Sequence, residues 1–175
     1  MKNLGYAFAG IVFLFIIQSC HGNKQADSDA AKAQRHSLVF IKNSLVNGLC
    51  EIKASGLAIT NSNNHQVIDL AKMMITEQTG IDSDLMKLKS TYQITVKDTI
   101  TPFDARWIDS LSKRSGRAFD KPYLSAMVGI HRSDSVLFTL IAANSKPDVR
   151  KFAAQRLPLV KKQLDSALAV LSSLK

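Results

Sequence analysis

His131 lies on the buried face of a predicted helix, where a titratable side chain is uncommon. Apolar residues recur around it at Leu124, Met127, Phe138 and Ile141, with the spacing of three and four residues that is typical of a buried helix face. A histidine in this position can be a metal ligand, a general base, or a core residue whose ring is hydrogen-bonded. The choice between these roles depends on the polar side chains that lie opposite.

Three more polar residues occupy core-facing or adjacent positions on the other predicted helices. Counted from the tight turns, Gln78 and His131 lie about 15 residues away, Gln163 about 17 and Glu51 about 11. Antiparallel helices then bring these residues to a similar height. We therefore predict one polar layer at mid-height, formed by Glu51, Gln78, His131 and Gln163, whose members bond to one another or to buried water.

This layer is a poor match to a di-iron centre. Such centres use four carboxylates and two histidines, with Glu-x-x-His on two helices, and this sequence contains no Glu-x-x-His. A catalytic base needs a cleft and a partner, and no nucleophile is placed beside His131. We predict no catalytic residue, no metal and no cofactor. The alternative is a single-ion site formed by Glu51, His131 and Asp134, which follows His131 by three residues.

The N-terminus is typical of an exported protein. Residues 4–17 form an apolar run of 14, shorter than the ~20 residues that span a bilayer, so a signal peptide over residues 1–19 is predicted. The following "IIQSC" resembles the end of a bacterial lipoprotein signal, with Ile17 three residues before Cys20 and the small Ser19 directly before it. This resemblance implies cleavage before Cys20 and acylation of Cys20, and two or more acyl chains anchor a protein stably.

Acylation of Cys20 would leave Cys50 as the only thiol, so no intramolecular disulfide is expected, and we interpret Cys50 as a core residue. The net charge is +9, but no aromatic residues alternate with the basic clusters, which disfavours nucleic acid as a partner. The expected partners are the membrane, through the anchor, and an envelope protein or anionic lipid. The expected location is the bacterial cell envelope, with the outer membrane favoured.

Four long helical patterns follow a predicted flexible tether over residues 20–32. They cover about 33–60, 65–92, 119–144 and 147–174, and Gly48 on the first lets a neighbouring helix approach closely. Asp120 is predicted to cap the third or to bond backbone amides near its start. An extended stretch, "QITVKDTITP", and a short helix at about 103–115 separate the second from the third. Ten extended residues reach roughly 33 Å, close to the ~40 Å length of a 27-residue helix.

These elements predict an all-α fold over residues 33–175. A connection of that length can cross from one end of the long helices to the other. Two hairpins joined by one long crossover form the ferritin-like four-helix bundle.

Four stretches of the sequence resemble a family of ferritin-like bacterial envelope proteins, described as outer membrane proteins and catalogued as a domain of unknown function. The resemblance covers about residues 37–174. The stretches are "SLVFIKNSLVNGLCEIKASGLAI", "VIDLAKMMITEQTGIDSDLMKL", "LSKRSGRAFDKPYLSAMVGIHRSDSVLF" and "DVRKFAAQRLPLVKKQLDSA". The most specific pattern is Ser-Gly-x-x-Phe-Asp-x-x-Tyr with a later His, met by Ser115, Gly116, Phe119, Asp120, Tyr123 and His131.

This resemblance implies that Glu51 and His131 occupy the usual polar positions of the family. Gln78 and Gln163 stand where relatives commonly carry histidine, which weakens a metal-binding role. The predicted function is a lipid-anchored, non-enzymatic binding or structural module. The alternatives are a metal-binding or oxidative-stress protein with a reduced single-ion site, and a protein that binds anionic envelope lipid through its basic fourth helix.

Overall fold

The computed structural model describes residues 24–97 and 99–174. It contains the helices α1 (Lys24–Asn61), α2 (His65–Thr91), α3 (Pro102–Ser112), α4 (Arg117–Asn144) and α5 (Pro147–Ser173). Within those two ranges the chain forms no β-strand, which confirms the all-α class. The predicted signal peptide and Cys20 lie outside the described residues.

Helix α1 begins earlier than the sequence predicts. The expected tether included residues 24–32, yet these residues are helical, and residues 25–32 are exposed. Alanine, lysine and glutamine in this stretch are good helix formers. Asp29 also accepts a hydrogen bond from Gln25 at 3.1 Å and pairs with Lys32 at 3.5 Å, both at helical spacing. The small, polar composition therefore continues a solvated helix instead of forming a tether.

Two helices start at local capping signals. The side chain of Asn64 accepts a hydrogen bond from the Gln66 N–H at 2.9 Å, at the start of α2. Before α3, Thr101 Oγ1 accepts from the Asp104 N–H at 3.1 Å and donates to Asp104 Oδ2 at 2.6 Å. These bonds satisfy backbone N–H groups that have no partner within the helix.

Helix α4 starts at a glycine, and the prediction that Asp120 caps it is wrong. Gly116 has a φ of +53°, in the left-handed region that favours glycine. Its N–H donates to the Asn61 carbonyl at 2.7 Å, which joins the start of α4 to the end of α1. Asp120 lies one turn inside α4, where it is buried, and its Oδ1 has no hydrogen-bond partner among the described residues.

Helix α1 packs against α2 and α4, and α5 packs against α4 and α2. Contacts at both ends show that α1 and α4 are antiparallel. The Lys146 N–H, just after α4, donates to Ser37 Oγ near the start of α1 at 3.0 Å. The bond from Gly116 to Asn61 lies at the opposite end. The long helices are thus held in register by hydrogen bonds at both ends.

The connection that carries α3 runs from one end of the long helices to the other. It leaves α2 at Tyr92, whose Oη donates to Asp148 Oδ1 at 2.6 Å beside the start of α5. It ends near Asn61, whose Nδ2 donates to the Ser112 carbonyl at 3.2 Å and the Arg114 carbonyl at 2.9 Å. Helix α3 packs against α1 and α4 on the way. A short helix within a long connection was predicted, and the structure contains it.

The apolar interior consists of two clusters of buried side chains. One cluster lies towards the end of the long helices where α1 ends and α4 begins, and includes Met74, Phe119, Tyr123 and Met127. The other lies towards the opposite end, where Phe40 packs edge-on against Phe138 with ring centroids 5.1 Å apart. Burial of each large side chain contributes about 1.5–3 kcal/mol. The level between the two clusters is not apolar.

Candidate functional site

The predicted polar layer separates the two apolar clusters. Each long helix contributes one buried polar residue at a position between its residues of one cluster and those of the other. The four residues are Glu51 on α1, Gln78 on α2, His131 on α4 and Gln163 on α5. All four line one small cavity, together with Asp134. The structure therefore brings the four predicted residues together.

The cavity at this level is very small. Its volume of about 10 Å³ is close to the minimum for one water molecule, whereas sites for organic ligands measure roughly 300–1,000 Å³. Ser44 and Asn47 of α1 also line it. Its lining is polar, as a bound water requires. The geometry accommodates a species about the size of water and excludes an organic substrate.

Glu51 and His131 are neighbours without a hydrogen bond. His131 Nε2 lies 3.7 Å from Glu51 Oε2, which is too long for such a bond. Burial raises the pKa of Glu51 well above its usual value, and the nearby Asp134 and Asp82 raise it further. Burial lowers the pKa of His131 to about 4. Burial therefore favours the uncharged form of both side chains.

His131 and Gln163 have polar atoms without protein partners. Both ring nitrogens of His131 and both amide atoms of Gln163 are buried, and none of these atoms has a hydrogen-bond partner among the described side chains and backbone. Buried polar groups are normally paired. The structure thus shows no direct hydrogen bond between the four residues of the layer. Bridging by buried water stays a prediction.

Gln78 is held by Asp82, a residue that our sequence reasoning did not include. Gln78 Nε2 donates to Asp82 Oδ1 at 2.9 Å, one turn along α2. Burial raises the pKa of Asp82 to about 6, although the bond from Gln78 acts in the opposite direction. A Cβ at Gly48 would collide with both side chains. Gly48 therefore allows the close approach of α1 to α2 that the sequence predicted. The four-residue spacing of Gln78 and Asp82 could have indicated their hydrogen bond.

Asp134 reaches the cavity from α4, and burial raises its pKa to about 6. It was predicted, with Glu51 and His131, as the third member of an alternative metal site. Across the described ranges, no group of three or more His, Cys, Asp and Glu side chains is arranged to hold a metal ion. These three residues line one cavity without forming a compact ligand set.

Cys50 is buried and unpaired. Burial raises the pKa of its thiol to about 12, with smaller contributions from Asp104 and Glu51. A thiol with a raised pKa is a poor nucleophile, because the thiolate is the reactive form. This environment fits the interpretation of Cys50 as a core residue.

The basic residues of α5 are partly paired with acidic residues of α2. These basic residues are Arg150, Lys151, Arg156, Lys161 and Lys162. Arg156 forms an ion pair with Asp84, and Lys162 Nζ lies 3.0 Å from Glu77 Oε1. Hydrogen bonds from Lys87, which has the larger effect, and from Arg156 hold the pKa of Asp84 below its usual value. Part of the charge proposed for lipid binding therefore serves the packing of α2 on α5.

Comparisons with known proteins identify a family and little else. Residues 22–170 match the sequence model of a domain of unknown function (DUF4142). No curated protein and no solved structure matches the chain. Among the helices that the structure describes, none has an apolar stretch long enough to cross a bilayer.

Proposed function

The chain belongs to the family described as a domain of unknown function (DUF4142), and on that premise we propose that it is a lipid-anchored protein of the bacterial cell envelope. The outer membrane is the favoured location. Its helical domain is a ferritin-like four-helix bundle that acts as a non-enzymatic binding or structural module.

The polar layer carries the structural part of this proposal. Each long helix contributes one polar residue to a level that lies between two apolar clusters. A shift of one helix by a turn would move its polar residue away from the cavity and into an apolar cluster. No polar side chain or water could pair with it there, at a cost of about 1–3 kcal/mol. The layer thus favours one alignment of the helices, a role that polar core residues have in some proteins.

A double variant tests the alignment role. His131→Leu with Gln163→Leu removes two side chains of the layer that have unpartnered atoms. We expect this variant to retain its helix content and to show poorer dispersion of amide resonances in NMR spectra. The matched control is Val149→Leu with Ala153→Val, which changes apolar volume on α5 within the apolar cluster and away from the cavity. If the double variant keeps the sharp, well-dispersed spectrum of the wild type, the layer does not specify alignment.

The anchor is supported by the residues before Cys20, "IIQSC". Intact-mass analysis of protein purified from bacterial membranes should show a chain that begins at Cys20 and carries the added mass of acyl chains. The Cys20→Ser variant should lack that mass. A wild-type protein without acyl mass would refute the anchor and leave the proposal for the helical domain standing.

A second candidate function is a single-ion site in the cavity. It is favoured by the two ring nitrogens of His131, which have no partner within the described ranges, and by the carboxyl groups of Glu51 and Asp134 nearby. It is disfavoured by the lack of a compact ligand set there. A thermal-shift titration of wild type and His131→Leu with metal ions distinguishes the two functions.

A further inference from the structure

Three large apolar side chains are exposed on the outer surface of α1 and α4. Val39 on α1 is 56% exposed, and Val136 and Leu140, one turn apart on α4, are 61% and 54% exposed. A hollow of about 310 Å³ lies between the two helices at Val39, with Leu137 and Ile141 in its lining. Single exposed apolar residues are ordinary, but a group of them beside an apolar hollow marks an interaction surface.

The charge around these residues has one sign. Residues 31–50 of α1 include Lys32, Arg35 and Lys42 and no acidic residue, and Arg35 also lines the apolar hollow. On α4, Arg132 is exposed, whereas Asp134 lines the interior cavity. Asp29, at the start of α1, is paired with Lys32, so these two residues add no net charge and Arg35, Lys42 and Arg132 supply the positive rim. The surface therefore combines apolar side chains with a positively charged rim, which complements an anionic, partly apolar partner.

The chain outside the described residues indicates what that partner is. Cys20 precedes Lys24, the first residue that the structure describes, by four positions, so an acylated Cys20 would hold the start of α1 within about 14 Å of the bilayer. Val39 lies 15 residues further along α1, or about 22 Å at the rise of a helix. A domain tethered at this point can lay the side of α1 and α4 against the membrane.

We propose that the α1–α4 face, formed by Arg35, Val39, Lys42, Val136 and Leu140, docks on the anionic surface of the bilayer to which the anchor ties the domain. The apolar side chains enter the headgroup region and the cations contact lipid phosphates. This inference rests on the proposed lipid anchor. It assigns the lipid contact to α1 and α4, whereas the alternative drawn from the sequence placed that contact on the basic helix α5.

A fluorescent label on this face tests the proposal in the full, acylated chain. Val39→Cys would be labelled with a polarity-sensitive dye. Cys50 should stay unlabelled at neutral pH, because it is buried and its pKa is raised to about 12. In vesicles of phosphatidylglycerol and phosphatidylcholine the dye should report an apolar environment, and the signal should weaken at high salt. In phosphatidylcholine vesicles it should report water.

Two matched controls make the result specific. The same dye at Phe103→Cys, on α3 and 71% exposed in the wild type, should report water in both vesicles. Arg35→Glu with Lys42→Glu should lower the ratio of docked to undocked protein roughly tenfold or more. Lys151→Glu with Lys161→Glu, an equal change of charge on α5, should not. Circular dichroism would verify that all variants are folded.

The outcomes separate this inference from the anchor. A dye at Val39 that reports water in anionic vesicles overturns the docking face, and so does a loss of docking caused only by the α5 variant. If the chain lacks acyl mass, the anchor is refuted. Val39→Cys combined with Cys20→Ser, labelled in the same way and added to preformed vesicles, then tests the face alone, and an unshifted dye signal overturns it.

Discussion

His131 Nε2 and Glu51 Oε2 lie 3.7 Å apart in the interior, yet the two residues do not form an ion pair. Burial raises the pKa of Glu51 well above its usual value and lowers that of His131 to about 4. The loss of hydration therefore outweighs the attraction that a charged pair would gain. Burial thus favours the uncharged form of both side chains, and His131 gains a proton only in acid, near its lowered pKa.

Replacement of His131 by leucine should reduce the fall in the free energy of unfolding between neutral and acidic pH, which we call the acid limb of the stability profile. The pKa of His131 is lowered from 6.5 to about 4 in the folded protein, so between these pH values the unfolded chain binds a proton that the folded protein does not. Wild type should lose on the order of 2–3 kcal/mol as the pH falls through this window. His131→Leu should lack this loss. Urea denaturation at pH 7.5 and pH 4.5 measures the difference.

The His131→Ala variant separates titration from packing. It should share the flatter acid limb of His131→Leu, because it also lacks the imidazole. It should be less stable than wild type at pH 7.5 by roughly 1–3 kcal/mol or more, since it leaves a cavity and removes packing contacts. If both variants retain the acid limb of wild type, another group is responsible for it.

Asp134→Asn should stabilise the protein above pH 6 and have little effect near pH 4. Burial raises the pKa of Asp134 from 3.8 to about 6. A raised carboxyl pKa means that the folded protein holds a proton that the unfolded chain has released, so stability falls as the pH rises from about 4 to about 6. Removal of this group should contribute on the order of 1–3 kcal/mol at pH 7. Melting temperatures at several pH values measure it.

Asp84→Asn provides a control of opposite sign. The pKa of Asp84 is lowered by its bonds to Lys87 and Arg156, so the stabilisation from its charge is present at neutral pH and lost in acid. The variant should melt below wild type at pH 7, and the gap should narrow as the pH falls. Two variants with the same trend would show that the charge of the whole protein, and not the local environments, sets the profile.

The sequence was sufficient to predict the heights of the polar residues, because helix periodicity fixes the direction of each side chain. Ala71, Met74, Ile81 and Leu85 define an apolar face that leaves one gap, at Gln78, and the same reasoning located His131. The length of each helix follows from these patterns. The start of α1 was missed because its first turns are exposed on all sides and carry no apolar period.

Periodicity could not predict the hydrogen bonds. His131 Nε2 lies 3.7 Å from Glu51 Oε2, whereas a hydrogen bond requires about 3 Å. Helix periodicity does not place two side chains accurately enough to distinguish these distances. The partner of Gln78 is Asp82, on the same helix, because α1 has no side chain at Gly48 to occupy the space. Asp120 was misjudged because Gly116, with its positive φ, ends the preceding turn and starts α4 earlier.

Gly48→Ala should destabilise the protein although alanine is the better helix former. The added methyl group would collide with Gln78 Nε2 and Asp82 Oδ1, so their hydrogen bond would have to break or shift. We expect a net loss of about 1 kcal/mol, because a broken bond to a partly buried carboxyl outweighs the gain in helix propensity. The pKa of Asp82 should rise further, since the bond from Gln78 lowers it. NMR titration of Asp82 measures this shift.

Gly56→Ala is the matched control on the same helix. A Cβ at Gly56 meets nothing within 4 Å, so the substitution should stabilise the protein by roughly 0.5–1 kcal/mol. Opposite signs for the two variants would locate the close approach of α1 and α2 at Gly48. A stabilising Gly48→Ala would mean that the two side chains move away without cost.

The last prediction concerns metal ions. A structural polar layer should give the same melting temperature with and without Fe(II), Zn(II) or Cu(II), apart from effects shared with a variant that lacks His131. An ion bound in the cavity would stabilise the folded state according to its concentration and affinity. The experiment is a thermal-shift titration of wild type and His131→Leu with each ion, in protein without an affinity tag.

His131→Leu is the appropriate reference because it keeps the cavity filled, whereas His131→Ala also changes the packing. Surface histidines such as His36 and His65 are exposed and can bind added metal, but they are present in both proteins and cancel in the comparison. A rise in melting temperature that requires His131 would contradict the structural interpretation. Glu51→Gln and then Asp134→Asn would test the remaining ligands, since each replaces a carboxylate by a weaker oxygen donor of the same size.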